Sequence, residues 1–350
     1  MRVIHQSPSP SKSSVNITFA SGTTKDLWIE SNVELDRKAD AWLYLLLPVA
    51  MQLGEDLEIQ GKLSKSAVDS FYTAKKELLR GHPKMTDIEL IYSEPLLENI
   101  SSKRQVGLFY SGGVDSTYAA ETLADVSALV SVWGFDIPIK NERHWQLSLE
   151  LIEPYAKSLN RDLIQVRTNI RELTNGLLEW GGDYHGTALS GIATALANQL
   201  EKVYVAAGFV RQSPNWGHSP ILYNAYSTAS LSIEETDPVK RIAKAQYLAN
   251  NPRTLTIRAC YRNMHGKANC GVCKKCIRTR LEFDLVKARY RPPGLEQRPS
   301  AKEILSSKMT NWDYLFYLEA INWAKTNSYK GTLKPLLVAS LTRLKNKLRG

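Results

Sequence analysis

Two groups of residues have the types and the spacing to do chemistry. The first is Ser-Gly-Gly-Val-Asp-Ser, residues 111–116, set between an apolar run that ends at Tyr110 and an apolar helical pattern. A tight turn leading from a strand into a helix N-terminus leaves amide groups without partners, and it points the positive end of the helix dipole at whatever sits there. Gly112 and Gly113 let the backbone come close to a ligand, while Ser111 and Ser116 supply hydroxyl donors. That combination suits phosphate. Asp115 repels a bare anion, so it suits a helix cap or a metal carried on the phosphates. The loop lacks the Gly-Lys-Ser/Thr ending of the Walker loop and the spacing of the dinucleotide fingerprint. An ordinary tight turn before a capped helix is the competing reading.

The second group is Cys260, Cys270, Cys273 and Cys276, all four cysteines of the chain, spaced C-x9-C-x2-C-x2-C. Four thiolates in a reducing compartment make the closed tetrahedral set of structural zinc, with no position left open for water. An iron–sulfur cluster is the alternative occupant. Disulfides are disfavoured without a secretory signal, and His265, inside the cluster, reads as a loop residue.

The surrounding pattern is α/β. In residues 1–102, two runs around Ser-Gly-Thr-Thr-Lys form a hairpin pair, followed by a helix over 37–53, a strand over 56–63, a helix capped by Ser64 and a strand over 87–93. Polar residues then separate this unit from the run Val-Gly-Leu-Phe-Tyr, and strands alternate with helices as far as residue 209. Short apolar strands between amphipathic helices argue for a doubly wound, mostly parallel sheet over 103–290. The helix from residue 186 to 200 keeps one apolar face for packing. Residues 288–300 read as a linker, 311–325 as an aromatic-rich helix, and 291–350 as a basic helical extension closed by leucines at helical spacing.

Ser-Gly-Gly-Val-Asp-Ser matches the signature of the PP-loop ATP pyrophosphatases. Paired with the downstream Cys-Tyr-Arg…Cys-Gly-Val-Cys-Lys-Lys-Cys, it resembles the 7-cyano-7-deazaguanine synthase family over residues 104–285. The resemblance implies adenylation of the carboxylate of 7-carboxy-7-deazaguanine by ATP with release of pyrophosphate, attack by ammonia to give an amide, and a second activation that yields the nitrile. It assigns Ser111, Gly112, Gly113, Asp115 and Ser116 to the ATP phosphates and Mg2+, with Asp115 and Ser116 at the reaction centre. It assigns the four cysteines to Zn2+. The family's Pro-Gly-Arg-Asn element is replaced here, which puts Asp183, His185 and Gly186 in substrate positions, with Trp216 and His218 available for a planar ligand after the next strand. A structural role for either histidine stays equally open. Extended relatives resemble components of bacterial anti-phage systems, where the implied product is a deazaguanine–protein amide.

Composition narrows the partners. The formal charge is +10, yet residues 251–350 hold 21 lysines and arginines against 6 acids, so the rest of the chain is net acidic. An acidic protein or RNA is the partner such asymmetry attracts; a solvated basic surface is the bland alternative. The longest apolar run, 41–51, is far short of the roughly 20 residues of a bilayer span and contains Pro48. With no signal-peptide core at the start, the expected setting is cytoplasmic, with no membrane partner and with a second copy of the chain as a further partner. Two other readings compete with the ligase: PP-loop chemistry on a tRNA base, and a zinc-containing nucleic-acid binding module.

Overall fold

The computed structural model describes residues 1–96, 104–208, 219–262, 264, 266–306 and 311–327, with the backbone alone for 311–314. It is an α/β chain. The first part is built from β1 (Arg2–Ser9), β2 (Lys12–Thr18), β3 (Thr24–Ser31), α1 (Asp40–Leu53), β4 (Leu57–Gln60), α2 (Lys65–Gly81) and β5 (Leu90–Tyr92). The second runs through β6 (Gln105–Phe109), α3 (Val114–Thr122), β7 (Ala128–Trp133), α4 (Glu142–Ser158), β8 (Asp162–Thr168), α5 (Arg171–Thr174), α6 (His185–Ala195), β9 (Leu200–Val205), α7 (Pro220–Tyr226) and β10 (Ser232–Glu235). Helices α8 (Arg241–Leu248), α9 (Lys274–Leu285), α10 (Ala301–Ser306) and α11 (Asn311–Thr326) follow.

All ten strands share one sheet, in the order β10-β9-β6-β7-β8-β3-β2-β1-β4-β5. From β10 to β8 every neighbour is parallel. The hairpin pair expected around residues 21–25 is β2 and β3, with the turn at residues 19–23, and β3 joins β8 antiparallel through Ile29–Thr168, Glu30–Arg167 and Ser31–Val166. The sheet is therefore continuous across residue 102. Helices α1 and α6 lie against each other over it: Tyr184 Oη donates to the Leu45 carbonyl at 2.8 Å, and any side chain at Gly191 would collide with Leu45. This burial explains the apolar run with Pro48. Every residue of α1 from Asp40 to Met51 is buried, so the helix is apolar all round instead of along one stripe. No helix among the described residues is long and apolar enough to cross a membrane.

Some elements were not apparent in the residue pattern. Strand β1 carries Pro8 and mostly exposed polar residues, yet it lies inside the sheet, between β2 and β4. Its ladder register slips between Gln6 and Ser9, so the proline need not supply a ladder hydrogen bond. Helix α6 stops at Ala195, because the chain turns at Leu196 and Leu200 starts β9. The apolar periodicity of 186–200 thus spans a helix, a turn and a strand that all face one core.

Asp40 opens α1 while almost fully buried. Its carboxylate accepts from the Ser64 amide at 2.9 Å and from Ser64 Oγ at 2.7 Å, which ties the starts of α1 and α2 together. Burial nevertheless pushes its pKa up to about 6 against the pull of those bonds. A group raised on folding stabilises the fold fully below its unfolded pKa and loses that contribution as pH climbs through the folded one. Stability should therefore fall between about pH 4 and pH 6, by at most about 3 kcal/mol. Asp40→Asn should flatten this dependence in urea titrations; an unchanged slope would refute the assignment.

Candidate functional site

The hexapeptide 111–116 forms the turn between β6 and α3. Gly112 has φ +75°, a conformation that favours glycine, and a side chain there would press on Arg258 Cβ at 3.4 Å. Gly113 is the N-cap of α3, and no side chain caps the helix, so its first-turn amides stay available. Ser116 Oγ donates to the Gly113 carbonyl at 3.1 Å and lies 3.5 Å from Ser111 Oγ, which brings both hydroxyls to one side of the loop. Beneath the loop, Tyr110 and Tyr155 stack with ring centres 5.0 Å apart, and Tyr155 Oη donates to Glu121 at 3.0 Å. The helix that carries the loop is thereby pinned to α4.

The position of this loop in the sheet matters. The chain steps from β6 to β7 to β8 in one direction, then returns to place β9 on the other side of β6. The reversal falls at the carboxyl ends of β6 and β9, the place where doubly wound sheets bind ligands.

Two cations from α8 meet the loop at Asp115. Arg241 Nη1 meets Asp115 Oδ2 at 2.5 Å, and Lys244 Nζ meets Asp115 Oδ1 at 2.8 Å while also donating to the Ala207 carbonyl beyond β9. Burial raises the Asp115 pKa, but Arg241 and Lys244 more than reverse this and hold the carboxyl below its ordinary range. Arg241 has a second partner in the buried Glu282 of α9, 3.2 Å away. Helix α8 is in turn set by α11, where Glu319 accepts from the Ile242 amide at 2.7 Å. Both oxygens of Asp115 are thus engaged by cations.

The four cysteine sulfurs lie within 4.8 Å of one another. Tetrahedral zinc with bonds of about 2.3 Å needs sulfurs about 3.8 Å apart, and the pairs Cys270–Cys276 and Cys260–Cys273 stand at 4.0 Å. Cys270 Sγ accepts the Cys273 amide at 3.3 Å, in a tight turn for which Gly271 takes φ +75°. Hydrogen bonds from Cys273 and Cys276 drive the Cys260 thiol down, while hydrogen bonds with Cys260 and Cys273, together with burial, drive the Cys276 thiol far up. The donor set fits a metal such as zinc.

The cluster is joined to the loop by backbone. Two residues before Cys260, the Arg258 amide donates to the Gly112 carbonyl at 2.7 Å. The buried side chain of Asn269 brackets Arg258, donating to the Ile257 carbonyl at 2.9 Å and accepting from the Ala259 amide at 2.8 Å. Cys273 is also the N-cap of α9, the helix that supplies Glu282.

The loop residues Ser111, Gly112, Gly113, Asp115 and Ser116 therefore stand together, and so do the four cysteines. Asp183 lies within a π-helical turn over Trp180–Tyr184, and His185 and Gly186 open α6 directly after it. Asp183 serves that turn: it accepts from the Glu179 amide at 2.8 Å and pairs with His82 Nδ1 at 3.1 Å. Gly186 is buried in the helix, and its carbonyl accepts from Ser190 Oγ. His185 packs on Trp180 with centres 5.1 Å apart. Trp216, His218 and His265 lie outside the described residues. Residue types alone did not mark Arg241, Lys244 or Arg258, which the folding of distant segments brings to the loop. Comparisons of the chain with family models, curated proteins and solved structures find no match.

Metal analysis should find one zinc per chain. Cys273→Ser should lose most of that metal and lower the melting temperature, since structural zinc contributes on the order of 10 kcal/mol to the folding of such sites. Iron with sulfide in stoichiometric amounts would contradict the zinc assignment.

Proposed function

We propose that the chain is an ATP-dependent ligase of the 7-cyano-7-deazaguanine synthase type, which adenylates a deazapurine carboxylate and passes it to a nitrogen nucleophile. The observation that carries this reading is the Ser-Gly-Gly-Val-Asp-Ser turn at the reversal between β6 and β9, with uncapped helix amides above and two buried cations below. Such a floor suits a polyphosphate better than a single anion. The first-turn amides and the Ser111 and Ser116 hydroxyls face the phosphates, and Lys244 and Arg241 take up charge that develops on departing pyrophosphate. Magnesium arrives on the nucleotide, where it neutralises phosphate charge.

In the first step an oxygen of the substrate carboxylate attacks the α-phosphorus. The bond to the β-phosphate oxygen breaks and pyrophosphate leaves. Ammonia or an amine then attacks the acyl carbon, loses a proton and expels AMP, leaving an amide; where ammonia is the nucleophile, a second ATP adenylates the amide oxygen with loss of pyrophosphate, and departure of AMP with both N–H protons gives the nitrile. No covalent protein nucleophile is required. When the amine belongs to a protein, the same two bonds are exchanged and the product is a conjugate. The excess of basic residues over 251–350 favours an acidic protein or RNA near the site mouth.

The products of ATP turnover, with 7-carboxy-7-deazaguanine and ammonia present, should be AMP and pyrophosphate. Asp115→Ala releases both Arg241 and Lys244 from the loop and should lower turnover about a thousandfold or more with an unchanged circular dichroism spectrum. ADP and phosphate as products would exclude adenylation.

A further inference from the structure

The two cations that meet the 111–116 loop are held from behind, and the acid they meet is not. Lys244 Nζ donates to the Ala207 carbonyl, beyond β9, as well as to Asp115. Arg241 divides its donors: Nε meets Glu282 Oε2 at 3.2 Å, Nη2 donates to Thr279 Oγ1 at 3.4 Å, and Nη1 reaches Asp115. The helix that carries both is pinned in turn, because Glu319 of α11 accepts from the Ile242 amide at 2.7 Å. Arg241 and Lys244 are 7% and 2% exposed, whereas the Asp115 side chain keeps 22% of its surface in solvent. Among the described residues, neither oxygen of Asp115 accepts a hydrogen bond from any group but these two cations.

This asymmetry decides which partner yields to an incoming anion. Moving either cation breaks an anchor inside the protein and leaves a buried acid, hydroxyl or carbonyl without its partner. Turning Asp115 about its side-chain bonds breaks only the two ion pairs and carries the carboxylate toward water, which solvates it well. The cations are thus a fixed pair and the carboxylate is the movable anion. No side chain caps α3, so its first-turn amides suit a phosphate group, and that group needs the same two cations. Carboxylate and phosphate are alternatives for one pair of positive charges. Displaced from them, Asp115 stays on the first turn of α3 with the Ser111 and Ser116 hydroxyls, whose oxygens stand 3.5 Å apart. Hard oxygen donors of this kind suit magnesium carried on a polyphosphate.

We propose that Asp115 is a specificity-determining residue that competes with phosphate for Arg241 and Lys244, so that the loop takes a polyphosphate bearing a divalent cation and turns away the bare anion. A metal-free polyphosphate has to displace the carboxylate and then face it as an added negative charge. A magnesium-loaded one brings the cation that receives it. The same competition opposes retention of pyrophosphate, because Asp115 returns to the two cations when the metal departs. The proposal rests on the adenylating reading above and deepens it, since it states how that site chooses the form of its nucleotide.

The test is calorimetric binding of inorganic tripolyphosphate to the whole, metal-loaded protein, in magnesium-free buffer and with magnesium added. Wild-type protein should bind the magnesium form at least about tenfold more tightly than the bare anion. Asp115→Asn should bind the bare anion about 10- to 100-fold more tightly than wild type does, the range of a hydrogen bond to a charged group, and should keep less than about twofold of the magnesium effect. Its melting temperature, lowered because two buried cations lose their acid, should recover when tripolyphosphate is added. Asp115→Ser provides the same comparison should Asn distort the turn. With Lys244→Met in the background, the gain from Asp115→Asn should shrink at least about threefold, since one of the contested cations is gone. A gain of undiminished size is a general effect of removing an acid and overturns the competition. Bare-anion binding that is unchanged or weaker in both Asp115 variants overturns it too, and either result leaves the adenylating reading standing. If wild-type protein binds neither tripolyphosphate nor ATP with magnesium, the adenylating reading fails and the proposal fails with it.

Discussion

Asp115 sits at the first turn of a helix beside a glycine-rich loop, and a partly buried carboxylate there must be matched by cations. Arg241 and Lys244 supply the match. They bring a cost of their own, since two buried cations facing one acid leave positive charge over, and Glu282 meets part of it. Glu282 stands on α9, whose N-cap is Cys273 and whose first turn holds Cys276. The charge balance of the 111–116 loop thus reaches the cysteine cluster through one helix, and the Arg258–Gly112 hydrogen bond reaches it through one stretch of backbone. Cluster and loop are two ends of one construction.

The remaining elements follow from that construction. Helix α11 packs its Tyr317, Ala320, Ile321 and Ala324 against Ile242 of α8 and Ile277, Leu281 and Leu285 of α9. It therefore holds in place the helix with the cations and the helix with their counter-ion. On the other side, β1–β5 extend the sheet, and α1 backs α6, whose start carries His185. The N-terminal segment contributes a direct contact as well, since His82 fixes Asp183 and so the turn that presents Trp180.

Much of this was legible in the sequence where chemistry and local geometry coincide. The hexapeptide and the cysteines are short-range patterns, and the structure brings each together as its spacing requires. The alternation of strands and helices was legible because parallel strands are buried on both faces. Other features depend on long-range closure. Arg241 and Lys244 look like ordinary basic residues on a helix surface; only α8 folding back under β6 and β9 makes them ligands of Asp115. Asp183 was read as a substrate residue from its place in a rewritten loop, and the structure gives its carboxylate to His82 and to the Glu179 amide. Strand β1 escaped notice because it is mostly polar and gains its place from partners on both sides.

The central claim is that the cysteine cluster sets the phosphate loop, and nucleotide affinity of the metal-stripped protein tests it most directly. The metal is removed under mild chelation, retention of the sheet is checked by circular dichroism, and binding of ATP with magnesium is measured by calorimetry. The account predicts affinity at least about tenfold weaker than that of the metal-loaded protein, restored when zinc is added back. Equal affinity in the two forms, with the sheet intact, would contradict it.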